Sequence, residues 1–180
     1  IKELREVAID DLLGRDEIFL DWERIHQGLA GKSLLVSGGG GSIGAELCRQ
    51  LARFRPATLV IIDNNEYKLY RMEQELQQRF LGLNLHTYLC DVCDEAGVEE
   101  ILQCYQPDVV FHAAAYKHVP LLERQVRQAV RNNIFGTRCL AKAVERIGCG
   151  IFVLISTDKA VNPTSVMGTS KRVAELLCQD

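Results

Sequence analysis

The chain has 180 residues, 47% of them hydrophobic, with 21 Lys+Arg against 24 Asp+Glu and a formal net charge of −3. A chain of this length and balance buries roughly 70% of the surface its unfolded form exposes, which excludes disordered and fibrous classes and removes any need for disulfide or metal support. No block of five or more Lys/Arg occurs, so the clustered positive charge behind non-specific nucleic-acid or membrane-surface binding is missing, and an anionic ligand has to be held locally.

Residues 1–31 read as an acidic lead-in segment with a helical stretch around Leu20–Leu29 and Trp22 on its apolar side. From residue 32 to 180 a single domain is expected. Short β-branched runs at Ser33–Ser37, Thr58–Asp63, Leu85–Cys90, Asp108–His112 and Ile151–Ser156 are apolar almost throughout, the pattern of strands covered on both faces. Between them, Ile43–Phe54, Glu66–Leu81, Glu95–Tyr105 and Val126–Ile147 carry a period near 3.6, and Ser165–Cys178 resumes as a final helix. Strand alternating with helix predicts right-handed crossovers and an α/β, doubly wound parallel sheet with strand order 3-2-1-4-5.

The seven cysteines are an odd number scattered through apolar runs with no secretory signal ahead of them, which reads as a reduced, cytoplasmic protein. Cys90 and Cys93 are spaced like half a zinc site, but no second pair or two histidines stand at comparable spacing, so no metal is expected. No stretch approaches the roughly 18 to 20 apolar residues of a membrane span, and no membrane contact is expected of residues 1–180. The chain opens on Ile1 and stops on Asp180 within a helical pattern, as a piece of a longer protein would.

The first strand runs into Gly38-Gly39-Gly40-Gly41-Ser42-Ile43-Gly44 and then a helix. A dinucleotide site needs glycine at Gly38, Gly41 and Gly44: for the tight turn, for backbone contact with the pyrophosphate and for close helix packing. The amides of the helix start, at Ser42, Ile43 and Gly44, then face the phosphates. Asp63 ends the second strand, where a carboxylate accepts the adenosine ribose hydroxyls and repels a 2′-phosphate. NAD is therefore favoured over NADP, with Lys68 and Arg71 keeping NADP open. The same loop spells Gly40-x-Ser42-x-Gly44, a nucleophile elbow, but an elbow serine follows several strands and only about 30 residues precede this one. A glycine-rich turn that binds nothing is the plain alternative.

The fifth strand ends in Thr157-Asp158-Lys159, at the sheet edge where open α/β folds bind ligands. These residues form a site-like cluster or, alternatively, a solvated ion pair capping a loop. In the final helix Met167 and Lys171 stand at i and i+4 on one face.

The strings STDKAVNPTSVMGTSKRVAE, HAAAYKHVP at 112–120, GGGGSIGAELCRQ at 38–50 and DLLGR at 11–15 resemble the polysaccharide-biosynthesis family of nucleotide-sugar 4,6-dehydratases, relatives of the extended short-chain dehydrogenase/reductases with a Rossmann fold. The resemblance implies a UDP-N-acetylglucosamine 4,6-dehydratase with a UDP-sugar substrate and tightly held NAD(P), a homo-oligomer when whole. The C-terminal substrate region would lie beyond residue 180, so this piece alone is expected to be inactive, and DLLGR looks like the branch anchored in the inner membrane by an upstream segment. The family's roles carry over as Lys159, base toward C5, and Asp158, acid toward the C6 hydroxyl, a division that makes chemical sense if burial moves Asp up and Lys down toward neutrality. Met167 stands where most relatives carry a tyrosine that accepts the C4-hydroxyl proton, and methionine cannot take one. Thr157 relaying to Asp158 or water is the expected substitute. Lys171 is expected at the nicotinamide ribose. Asp91 and Val92 match the adenine-holding positions, and Ala113, Ala114 and Ala115 lie where the cofactor backbone passes. Asn133 matches an asparagine near the cofactor-binding strand ends. Lys117, His118 and Asn162 are expected near sugar or phosphate. A nucleotide-sugar epimerase of the same fold is the competing activity.

Overall fold

The computed structural model describes residues 21–179; the DLLGR motif and most of the lead-in segment lie outside the described residues. Helix α1 (Trp22–Leu29) begins at Asp21, whose side chain caps it by accepting from Arg24 N, and Trp22 stacks on Phe54 at 6.4 Å. Then follow β1 (Ser33–Ser37), α2 (Ser42–Arg53), β2 (Thr58–Asp63), α3 (Glu66–Arg79), β3 (Leu85–Leu89), α4 (Glu95–Tyr105) and β4 (Val109–His112). The chain continues through short helices α5 (Val119–Leu122) and α6 (Val126–Ala129), a π-helical segment Val130–Phe135, α7 (Gly136–Arg146), β5 (Ile151–Leu154), a 3-10 turn Asp158–Ala160 and α8 (Val166–Leu177).

The five strands form a parallel sheet in the order β3-β2-β1-β4-β5, as the strand and helix alternation predicts. Side chains alternate across it. Leu34, Val36, Leu59 and Ile61 pack on one face against Cys48 and Leu51 of α2 and Met72 and Leu76 of α3. Leu35, Val60, Ile62 and Val110 pack on the other against Ile101 and Leu102 of α4 and Leu140 and Val144 of α7. Burial on both faces is why these strands read as continuous apolar runs. β5 is the exception: it pairs with β4 alone among the described residues, and Ile151 is 46% exposed.

Two expectations change. β1 and β2 keep their expected bounds, whereas β3, β4 and β5 are one or two residues shorter than expected, although the ladder outlives β3 and β5: Cys90 N donates to Asp63 O (3.0 Å) and Ile155 N to His112 O (3.0 Å). The single helix expected over Val126–Ile147 is a short α-helix, a π-helical segment and α7, preceded by α5 with a proline in its first turn. A π-segment inserts one residue into a helix without disturbing its hydrophobic period on either side, so periodicity cannot reveal it. Here Asn132 and Asn133, consecutive in that segment, are both buried.

Candidate active site

The β1–α2 turn is shaped by backbone proximity. Gly38 sits at φ +72°, and a Cβ there would lie 2.5 Å from Ala114 N at the end of β4. A Cβ on Gly44 would collide with the Gly38 carbonyl. Any side chain at either position would fill the cradle or push the two strand ends apart. Gly41 starts α2 with no side-chain cap, which leaves the first-turn amides at Ser42, Ile43 and Gly44 to a ligand or solvent at the positive end of a twelve-residue helix.

Asp63 is 9% exposed and braces this turn from the next strand: Oδ2 accepts from Gly40 N (2.9 Å) and Oδ1 from Asn65 N (2.8 Å). Each carboxylate oxygen keeps a further lone pair for a ligand. The carboxyl ends of β1 to β4 open on a cleft of about 730 Å³, within the range of ligand sites. Its floor is Gly38, Gly41, Ser42, Ile43, Gly44 and Ala113 to Ala115; one end holds Asp63, Asn64, Asn65, Lys68, Cys90 and Val92, and the rim carries Tyr116, Lys117 and His118. The cleft straddles the point between β1 and β4 where the strand order reverses, the place open α/β sheets use for ligands.

The far wall, with Leu121, Leu122, Gln125, Gln128 and Asn132, was not legible in the sequence. Asn132 is 4% exposed and its orientation follows from its neighbours. Asn133 Oδ1 accepts from Tyr116 N (2.8 Å), so the group facing it at 3.0 Å is Asn132 Nδ2, and Asn132 Oδ1 keeps its acceptor capacity beside the cleft. Asn133 itself does not line the cleft. It donates to Tyr116 O (3.0 Å) and Ser170 Oγ (2.9 Å), clamping the β4 loop to α8.

The second cluster is not in the cleft lining; it follows β5, the strand next to β4, on the same carboxyl edge of the sheet. Thr157 Oγ1 donates to Asp158 Oδ1 (2.9 Å), and Lys159 Nζ lies 3.4 Å from the same oxygen. Both charged side chains are exposed, Lys159 by 57% and Asp158 by 87%. The hydrogen bonds from Thr157 and Lys159 hold the Asp158 carboxyl below its usual range. Burial therefore does not raise it here: among the described residues β5 pairs with β4 alone, and none of them covers the turn after it. The turn is nonetheless anchored, since α8 passes so close that a Cβ on Gly168 would strike the Lys159 carbonyl.

Lys171, expected at the nicotinamide ribose, lies outside the cleft lining. It is 5% exposed, burial lowers its pKa, and Nζ donates to Ile155 O (2.7 Å), two residues before Thr157. Met167 is buried with Leu122 and Ala129, a packing position outside the cleft lining. Asp91 lies outside the lining and accepts from Cys93 N (2.9 Å) and Arg131 (2.9 Å). Asn162 is exposed in the loop before α8. Among the described residues no histidine bonds Ser42, as the serine-elbow alternative would need: the buried His112 bonds Ser37 and Thr137, His118 stands on the rim, and Ser42 is exposed at the helix start.

The family described as polysaccharide biosynthesis protein matches residues 34–180. The chain is 44% identical over 176 residues to the probable polysaccharide biosynthesis protein EpsC of Bacillus subtilis, covering 97% of this chain and 29% of that protein. It is 30% identical to the inverting UDP-N-acetylglucosamine 4,6-dehydratase of Campylobacter jejuni, covering 82% of this chain and 42% of the relative. In fold it is similar to the UDP-glucose 4-epimerase of Stenotrophomonas maltophila solved with NAD and formylated UDP-arabinopyranose, with a TM-score of 0.72, 24% identity and coverage of 83% and 48%. The chain thus spans less than half the length of each.

Proposed function

The chain belongs to the polysaccharide biosynthesis protein family, and from that premise we propose that it is the dinucleotide-binding part of a nucleotide-sugar 4,6-dehydratase acting on UDP-N-acetylglucosamine. One observation carries this reading: a glycine cradle with unpaired helix amides and a carboxylate-ended β2 open on the same sheet edge as an acid, Asp158, whose Oδ1 is met by both Thr157 and the base Lys159. The described residues fit a pyridine dinucleotide. The Gly38 and Gly44 cradle has no room for a Cβ, the first-turn amides suit a diphosphate, Asp63 suits ribose hydroxyls, and Asn132 Oδ1 offers an acceptor to a ligand N–H or O–H. When bound, that group supplies reversible two-electron hydride chemistry.

The chain's own residues handle protons. Oxidation at sugar C4 gives a carbonyl that acidifies the C5 proton, which Lys159 takes as a free amine. Asp158 gives a proton to the C6 hydroxyl so that it leaves as water. Thr157, already donating to Asp158, is the relay for the C4-hydroxyl proton in place of the missing tyrosine at Met167. Exposed as they are, Asp158 and Lys159 need substrate and further protein to exclude water before their proton affinities converge. Lys117 and His118 on the rim are the groups for sugar or phosphate, and Lys171 fixes the approach to the turn through Ile155. Asp63 favours NAD, while Lys68 in the same wall is the group that would accept a 2′-phosphate.

The test uses the intact protein with UDP-N-acetylglucosamine and mass spectrometry of the product. Loss of one water supports dehydration; a changed configuration at unchanged mass assigns the protein to the epimerases.

A further inference from the structure

His112 is buried, 1% exposed, and has no part in the chemistry above. Its Nδ1 lies 2.6 Å from Ser37 Oγ and its Nε2 lies 2.8 Å from Thr137 Oγ1. The proton positions follow from one bond. Thr137 Oγ1 donates its single proton to Asn133 O (2.7 Å), so toward the imidazole it can only accept. Nε2 therefore carries hydrogen, Nδ1 is an acceptor, and the Ser37 hydroxyl donates to it. The result is a one-way chain from Ser37 through His112 and Thr137 to Asn133 O.

Each end of that chain touches a segment of the cleft. Ser37 precedes Gly38 and pairs in register with His112. The residue after His112 is Ala113, in the cleft floor. The His112 carbonyl accepts from Ile155 N, and the Ile155 carbonyl accepts from Lys171. At the far end, Asn133 clamps Tyr116. We infer that His112 is a positioning residue, a neutral imidazole protonated at Nε2 that couples the glycine turn after Ser37 to the 157–160 turn after Ile155. The chemistry around the ring suits a neutral form. Ser37 of β1, Thr137 of α7 and Phe152 of β5 bring no charge, and Lys171 of α8 brings a positive one. Burial first, then Lys171, pushes His112 down to about 3. The purpose of this coupling rests on the proposed function, since a dinucleotide would reach from one turn toward the other.

Two measurements on the full chain test it, and neither contains a dinucleotide. Nitrogen-15 NMR of histidine-labelled protein, with His112 assigned through His112→Gln or, if that variant does not fold, through the signal that moves in Thr137→Val, should show the Nε2–H form with no titration between pH 8 and 5. An Nδ1–H form, or titration near pH 6.5, overturns the inference. Hydrogen exchange in Thr137→Val, which keeps the shape and removes the hydroxyl, should run about fivefold faster at both 38–44 and 155–160. Acceleration confined to 130–146 would reduce His112 to a local core contact and overturn the coupling. Failure of NAD+ to bind the unaltered chain is the separate result that would remove the cofactor reading.

Discussion

The two turns along the carboxyl edge of the sheet are built in opposite ways. The glycine turn between β1 and α2 is locked: Gly38 and Gly39 amides donate to Ile62 O, Gly40 N donates to Asp63, and a Cβ would collide with backbone at Gly38 and Gly44. The turn after β5 is anchored from behind by Lys171 and Gly168, but its chemistry-bearing side chains stand in water. The difference teaches that the main-chain geometry on which the proposed dinucleotide site relies is assembled by the packed sheet itself. Acid/base chemistry needs desolvation, and the described residues do not supply it around the turn after β5.

The largest effect separating the two turns should come from Lys159→Ala in the intact protein: water loss from UDP-N-acetylglucosamine falls at least about a hundredfold, the loss expected on removing a general base. The thermal midpoint should stay put, because an exposed side chain is removed. Unimpaired dehydration would take Lys159 out of the mechanism. Gly38→Ala should do the reverse, destabilising the fold by about 1–3 kcal/mol through the positive φ alone and abolishing dinucleotide binding measured by calorimetry. Retained affinity would mean that the cradle is not the phosphate site.

A third expectation concerns the coupling between the turns. His112 is neutral when folded down to about 3, whereas in the unfolded chain it protonates below about 6.5. As pH falls through that window the unfolded state gains a proton that the folded state refuses, so stability is lost with falling pH. The loss is about 2 kcal/mol between pH 7 and 5, and it stops growing below about 3. Urea unfolding across that range should show this slope in the parent chain and lose it in His112→Gln. The smallest effect lies behind the glycine turn, where Arg49 of α2 holds Glu75 of α3 through two bonds of 2.7 and 2.9 Å. Arg49 is the main cause that lowers the Glu75 pKa to about 2. That depressed carboxylate contributes stability at neutral pH that is lost as pH falls from about 4 through 2. Glu75→Gln should cost about 0.5–1 kcal/mol by thermal unfolding at pH 7; no change would reduce the pair to a crystallographic-style surface contact without energetic consequence.

The locked half was legible in the sequence because its determinants are local. The spacing of Gly38, Gly41 and Gly44, the strand ahead of them and Asp63 at the next strand end are enough to write the turn down, and alternation of strands and helices gave the strand order. Asn132, His112 and the π-segment were not legible, since each depends on which side chain meets which backbone group across the fold: Asn133 on Tyr116, Thr137 on Asn133 O, Ser37 on His112. The surroundings of Asp158 were not legible for a related reason: neighbouring acid and base residues look the same in sequence whatever packs over the strand end before them, and contacts from elsewhere in the fold decide that.

The most direct measurement is a titration of the isotope-labelled chain with NAD+, followed through backbone amide shifts. The account predicts saturable changes centred on residues 39–44, Val92 and Ala113 to Ala115, weaker with NADP+. No saturation, or changes concentrated instead in the groove between Val126 and Thr169, would contradict it.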